Sequence, residues 1–475
     1  MRIKTIHLVI ILFFGFFVNA QNKQLLYNFT DIPQSLMVNP GATIQNNAFF
    51  GIPALSGIYA GVGTSEVSLY DLFADDGVDF NTKVRNAVYS INTNDVQRIN
   101  EQLELFNVGI KIGGLFSKNY ISFGIYQELN AFNYWPEDLA ILAYEGNSSN
   151  IGRAFNLSHL NAKGELLTVF HVGFHRKVNE QFSYGVRAKL YSGIIDISST
   201  KNKGSFLTSL GVDNTYIHTL ISDVEVRTSG VAELREEDVE GDDVFNILKN
   251  RALLGGNIGA GVDFGVTYNA NDRWTYTASL QDFGFIHNKT DIETYTLKGE
   301  YALEGVEIPF DDIVNGGSVS ADWQEIVDEI EEAFPRDTLR DAYTTMRPLK
   351  LNGAVIYRFG RKNKKVLDEC NCTSEVNNGY PSSMGAQLFA ETHSRYPQLA
   401  LTLFYYRRLS NFFRLKTTYT IDKFSKTNIG LGISSHFANF NFYLLADNLL
   451  EYYNISNANS ASLQFGFNYI FPKKD

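Results

Sequence analysis

From Ala461 to Phe471 the chain alternates almost without fault. Leu463, Phe465, Phe467, Tyr469 and Phe471 fall on one face, and Gln464, Gly466 and Asn468 on the other. A strand bathed in water on its outer side has no use for a row of aromatics. A strand with lipid on one side and a polar lumen on the other does. The pattern therefore predicts an all-β fold, a transmembrane antiparallel β-barrel.

The opposite end of the chain fits the same setting. Arg2 and Lys4 precede an apolar run from Ile6 to Val18, and Val18-Asn19-Ala20 reads as a small-residue cleavage site. Residues 1–20 are thus expected to be a secretory signal peptide. The rival, an uncleaved anchor, would need an apolar stretch of about 20 residues. With 36 Phe, 26 Tyr and 38 Gly against 10 Pro and 2 Cys, the composition is aromatic and glycine-rich. Mean hydropathy is nevertheless only -0.15, as expected when half of each strand faces water. Losing Arg2 and Lys4 takes the formal charge from -11 to -13, which leaves no electrostatic footprint for nucleic acid.

Counting strands backwards from the C-terminus, with short turns periplasmic and long loops external, gives about 14 strands, within a range of about 12 to 16. Ala438 to Ala446, Asn428 to Ser434, Phe413 to Ile421, Leu399 to Arg407 and Gly385 to Glu391 form the last part, with tight turns at Ser435–His436 and Leu409–Asn411. Upstream hairpins join Gly256–Tyr268 to Trp274–Phe285, Leu166–Lys177 to Phe182–Asp196, and Val108–Phe116 to Tyr120–Glu128. Phe49 to Tyr59 is the expected first strand, where Pro53 requires an irregular position. Arg361 to Ser383 is anomalous: by this count it is periplasmic, yet it is long, charged and carries Cys370 and Cys372. It is either an insertion on that side or a sign that the register is off by one strand. The cysteines read as a labile disulfide or a free pair; metal binding would need further ligands. Three helical patches are expected, at Asn94–Leu103, Glu137–Tyr144 and Ala321–Phe334, the last as a lid on the barrel rim.

Catalytic, metal-binding and cofactor-binding groups are not expected. The chain has no G-x-S-x-G elbow, and His171 and His175, four apart on one strand, are separated by about 13 Å. Strand parity instead points a set of charges into the lumen: Lys111, Glu128, Arg187, Lys189, Asp263, Arg414 and Lys416. Such charges can form a selectivity ring or a salt-bridged filling, and a barrel of about 14 strands favours a narrow or plugged lumen.

Several segments resemble a group of uncharacterised outer-membrane barrels from Bacteroidota, classed as a domain of unknown function. They are Phe50-Gly51-Ile52-Pro53-Ala54-Leu55-Ser56-Gly57-Ile58, Ser68-Leu69-Tyr70-Asp71-Leu72-Phe73, Trp135-Pro136-Glu137-Asp138-Leu139, Glu145-Gly146-Asn147, Gly185-Val186-Arg187-Ala188-Lys189-Leu190-Tyr191-Ser192-Gly193, and Leu444-Leu445-Ala446-Asp447-Asn448-Leu449-Leu450. The resemblance implies fold and membrane but no chemistry. Pro33-Gln34-Ser35-Leu36 with Asn39-Pro40-Gly41 is similar to an Asn-Pro-Ala element of long-chain fatty-acid transporter barrels, with Gly41 in place of the alanine. That likeness implies that residues 21–45 plug the lumen; a tail packed in the periplasmic mouth is the plainer reading. Residues 46–475 would then be the barrel. The expected function is passive transport of a small or hydrophobic solute across the outer membrane, with lipid as the surrounding partner. The alternative is a non-transporting accessory barrel with protein partners in a surface-assembly or secretion complex.

Overall fold

The computed structural model describes residues 23–43, 46–65, 67–113, 117–211, 215–236, 241–304, 337–361, 379–393 and 397–471. Its first strands are β1 (Ala48–Gly51), β2 (Ile58–Thr64), β3 (Val96–Ile112), β4 (Asn119–Tyr134), β5 (Ala154–Asn156), β6 (Asn161–Lys177) and β7 (Phe182–Leu210). The middle of the chain adds β8 (Tyr216–Ser229), β9 (Asn257–Asn269), β10 (Trp274–Asn288), β11 (Ile292–Glu304), β12 (Asp337–Leu339), β13 (Tyr343–Met346) and β14 (Lys350–Phe359). The last are β15 (Ser382–Glu391), β16 (Gln398–Arg408), β17 (Phe413–Ile421), β18 (Asn428–Phe437), β19 (Phe440–Asp447) and β20 (Ser460–Phe471).

β1 and β2 are two pieces of one strand, since each pairs with β20 on one side and β3 on the other. β13 and β14 likewise share β10. With each pair counted once and β5, β8, β11 and β12 standing outside the wall, the molecule is a closed barrel of 14 antiparallel strands, as the sequence predicts. Pro53 lies in the break between β1 and β2, where the ladder is interrupted and no donor is missed.

Alternation governs the wall. On β20, Gln464, Gly466 and Asn468 are buried inside while Phe467 and Phe471 are exposed outside. Leu399, Leu401 and Leu403 on β16 repeat the pattern. Short connections lie at one end of the barrel, and there Trp274 packs on Tyr357 at 4.9 Å and Tyr469 on Phe440 at 5.3 Å. We call this the turn end and the other the loop end. The segment from Arg361 to Pro381 joins β14 to β15 at the turn end, so the strand count needs no shift there; residues 362–378, with Cys370 and Cys372, lie outside the described residues.

Two expectations fail locally. Asn94–Leu103 is not helical but enters β3. Val96, Ile99 and Leu103 have helical spacing, yet the inward face is Val96, Arg98, Asn100 and Gln102, a strand period carried by polar side chains. The turn placed at Ser435–His436 lies two residues later, where Ala438 takes φ 50° between β18 and β19. The first strand breaks after Gly51 and resumes at Ile58, which gives Pro53 the irregular position it requires. Glu137–Glu145 is helical as expected, and Ala321–Phe334 lies outside the described residues.

One feature was not anticipated. β7 runs 29 residues, and only its first half belongs to the barrel, between β6 and β9. Beyond that it pairs with β8, β8 with β11 and β11 with β12, while β5 covers the far edge of β7. A small antiparallel sheet therefore stands above the loop end.

Candidate functional site in the lumen

Residues 23–42 lie inside the barrel. Leu25, Leu26, Tyr27, Phe29, Ile32 and Val38 form one buried cluster with Ala354, Tyr443 and Leu445 of the wall. Met37 packs among Tyr126, Leu167, Val169, Tyr191 and Ile286, and Leu36 and Ala42 against Phe49 and Tyr120. This segment has little regular structure of its own, so its carbonyls need donors from elsewhere. The wall supplies them. Lys416 Nζ donates to the carbonyls of Leu25 (3.0 Å) and Tyr27 (2.6 Å). Arg187 donates to those of Leu36 (2.9 Å) and Met37 (2.6 Å). Ser279 donates to Val38 O (2.8 Å), and Ser183 and Thr267 both donate to Gly41 O (3.1 and 2.8 Å). Near the turn end the Asp31 carboxylate accepts from Arg414 Nε (3.1 Å) and Tyr406 OH (2.7 Å). Gln34 and Asn468 exchange amide hydrogen bonds of 2.8 and 3.0 Å.

Asn39-Pro40-Gly41 crosses the wall at its closest approach. A Cβ on Gly185 would stand 1.9 Å from Pro40 O, one on Gly265 2.1 Å from Asn39 Oδ1, and one on Gly41 2.3 Å from the Gly265 carbonyl carbon. Two of these obstacles are backbone, which cannot swing aside. Three glycines thus let this stretch sit against β7 and β9, and explain why position 41 does not carry alanine.

Above the segment, toward the loop end, the lumen is ionic. Lys189 bridges Asp263 (3.0 Å) and Asp282 (2.5 Å). Lys350 bridges Asp282 (3.0 Å) and Glu128 (3.3 Å), and Arg347 pairs with Glu128 (3.1 Å) and with Glu165. Arg187 closes the chain on Asp263 with Nε at 2.7 Å. Arg98 pairs with Glu391 (2.7 Å), which also meets His393 (3.3 Å). Buried charges are tolerated only when paired in this way. Asp282 reaches the network through a bulge: the β9–β10 register slips between Leu280 and Phe283, Asp282 adopts φ 59°, and its N–H donates to Asp263 Oδ1 (2.7 Å). The extra residue turns both Gln281 and Asp282 inward.

Between network and segment is a cavity of about 70 Å³. Its floor includes Lys23, Gln24, Met37 and Val38, and its walls Arg98, Gln102, Glu128, Lys189, Asp282 and Lys350. Space of that size holds a few waters or a very small solute.

The sequence-derived set is therefore divided in role. Glu128, Lys189 and Asp263 join the ionic network, and Arg414 and Lys416 hold the segment. Arg187 does both. Lys111 stands apart, half-buried near the turn end of β3. His171 and His175 are buried on β6, and His175 Nδ1 lies 3.3 Å from Pro40 O; among the described residues no cluster of potential metal ligands occurs. The residues missed are Asp282, Lys350, Arg347, Glu165 and Asp31. Asp282 sits at the outward parity of β10, among apolar outer-face residues, and that misfit was the available signal of a bulge. Glu165 on β6 and Lys350 on β14 follow strand parity and were legible as candidates, whereas Arg347 lies in the break between β13 and β14.

A family model described as "Family of unknown function (DUF5723)" matches residues 40–447. The chain belongs to this family. No curated protein matches it. Solved structures of similar fold include the Pseudomonas putida toluene transporter TodX, at 10% identity and TM-score 0.39 over 93% of both chains. The Ralstonia pickettii toluene transporter TbuX matches at 10% and 0.42 over 93% of this chain and 94% of that one. A Pseudomonas aeruginosa FadL homologue matches at 10% and 0.42 over 94% and 96%. Such distant likenesses concern the barrel fold and not the solute.

Proposed function

We propose that this DUF5723 chain is an outer-membrane barrel that passes a small solute, with residues 23–42 as a plug that keeps the pathway shut at rest. The turn end, with its aromatic girdle, would face the periplasm. A cleaved leader, on the strength of the N-terminal pattern, and a Bacteroidota source, on that of the sequence resemblance, belong to the same reading. The observation that carries it is the composition of the lumen: below the cavity, the filling is a chain segment held by hydrogen bonds, not side chains rooted in the wall. A segment can leave without dismantling the strands.

The cavity favours a polar solute over a hydrophobic one, because its walls carry Arg98, Glu128, Lys189, Asp282 and Lys350. An apolar molecule there would strip water from charges and return no hydrogen bond. The distant barrels described as toluene transporters do not alter this preference.

Conductance of the refolded protein in planar bilayers tests the proposal, with and without residues 21–45. A closed full-length chain and an open truncated one, with liposome swelling in small polar solutes, are expected. Silence from both would sink it. The external sheet built on β7 favours a second reading, an accessory barrel docked to a protein partner. Silent bilayers together with a reproducible partner in pull-downs from native membranes would select that reading.

A further inference from the structure

Gly241–Asn250 is an amphipathic helix joined to a wider final turn, Arg251–Gly255. At 100° per residue, Val244, Phe245, Ile247 and Leu248 share one arc, and Asp242, Asp243, Asn246, Lys249 and Asn250 fill the other. None of the ten helical residues is buried. Phe245 is 66% exposed, and in the final turn Leu253 is 62% exposed. Val244, Ile247 and Leu248 are half-buried, so the arc is only partly covered among the described residues and Phe245 stands open.

The final turn is fixed to the outside of the barrel. Ser192 lies next to the inward Tyr191 on β7, so its side chain points outward; it donates to Arg251 O and accepts from Leu254 N–H (3.0 Å). The Arg251 guanidinium is buried and donates to Gly230 O (2.6 Å) and Asp291 (2.8 Å), with Glu233 alongside. Leu254 takes φ 69°, a left-handed conformation that a leucine adopts only where its surroundings enforce it.

Height decides what the exposed leucines meet. Ser192 is ten residues along β7 from Phe182 at the turn end. At about 3.3 Å per residue and a tilt of about 40°, that is about 25 Å, the height of the apolar band of such barrels. Leu190, Ile258 and Phe264, exposed on the outer faces of β7 and β9, continue the same apolar surface downward. A helix of this kind, at this level, lies where acyl chains meet head groups.

We propose that residues 241–255 are an interfacial anchor whose apolar arc contacts lipid of the outer leaflet. This rests on the outer-membrane reading given above. The test uses the full chain with Cys370→Ser and Cys372→Ser, reconstituted in phospholipid vesicles. A nitroxide is placed in turn at Phe245→Cys, Leu253→Cys, Leu401→Cys on the barrel belt and Asp75→Cys on an exposed loop. Each variant is first checked for heat-modifiable migration, so that only folded barrels are compared. Expected is that labels at 245 and 253 collide with oxygen several-fold more than with a water-soluble nickel chelate, as the label at 401 does. Nickel accessibility at 245 and 253 equal to that at 75, with 401 still lipid-like, overturns the anchor alone. Protection from both reagents also overturns it, by showing a protein cover. A water-exposed 401 overturns the membrane reading beneath it.

Discussion

The two halves of the lumen solve one problem in two ways. Inward-facing cations occur in both, and a cation in a closed barrel must be neutralised or supplied with acceptors. Toward the loop end, Lys189, Arg347 and Lys350 are met by carboxylates rooted in other strands. Toward the turn end, Lys416 is met by backbone carbonyls of a segment that is not part of the wall. The first arrangement ties strands to one another and must persist for the barrel to keep its section. The second ties the wall to something separable. Charges that look alike in sequence thus divide into a permanent lattice and a dock.

Removing the centre of the lattice should cost most. Arg347→Met leaves Glu128 and Glu165 buried with one partner fewer, and a broken buried pair costs about 3–5 kcal/mol. A large fall in the melting temperature of the detergent-solubilised barrel is expected; a shift of only a degree or two would mean that the lattice is not structural. Gly41→Ala probes the dock through shape. Its methyl would meet the Gly265 backbone, and overpacking of this sort costs about 1–3 kcal/mol. Limited proteolysis should then cut within residues 23–40 while the barrel stays heat-modifiable. Lys416→Met should have a similar or smaller effect, about 1–3 kcal/mol for carbonyls left without a donor, again confined to the segment. If it lowers barrel melting as much as Arg347→Met does, the contrast between lattice and dock is lost.

The smallest effect lies outside the lumen. In the external sheet the Glu225 carboxyl is held down to about 2, chiefly by the hydrogen bond from Lys201, with Thr200 also donating. Its folded-state value is depressed, so its contribution is complete above the ordinary carboxylate range and fades as pH falls toward 2. Because Lys201 is exposed, the loss should be under about 1 kcal/mol. Amide protection factors across residues 198–229, corrected for the pH dependence of intrinsic exchange, should fall modestly between pH 5 and pH 2.5, and unchanged protection would remove this pair from the account.

Much of the barrel was legible because a polar lumen and an apolar outer face impose period-2 alternation on the wall. β20 and β16 show it without interruption, and parity alone turned Arg187, Lys189, Asp263 and Lys416 inward. Where the period breaks, the reading broke with it. Asp282 is inward only because a bulge adds a residue, and a parity rule sends it to the apolar outer face. β3 was mistaken for a helix at its start because Val96, Ile99 and Leu103 have helical spacing, and nothing local said that Arg98 would find Glu391 nearly three hundred residues away. Asn39-Pro40-Gly41 left open whether the segment fills the lumen or only its mouth, because its contacts depend on which strands face each other across the lumen. That is a property of closure, not of any stretch of sequence.

Gln34 and Asn468 are 434 positions apart, yet each completes the other's amide. Contacts so distant in sequence form late, since loop-closure entropy must be met before they return anything. Near the start of the described chain, Gln34 must therefore wait for β20, one of the last elements to be made. Folding of this barrel should end as it began, at the N-terminus, with the oldest residues taking their seats last.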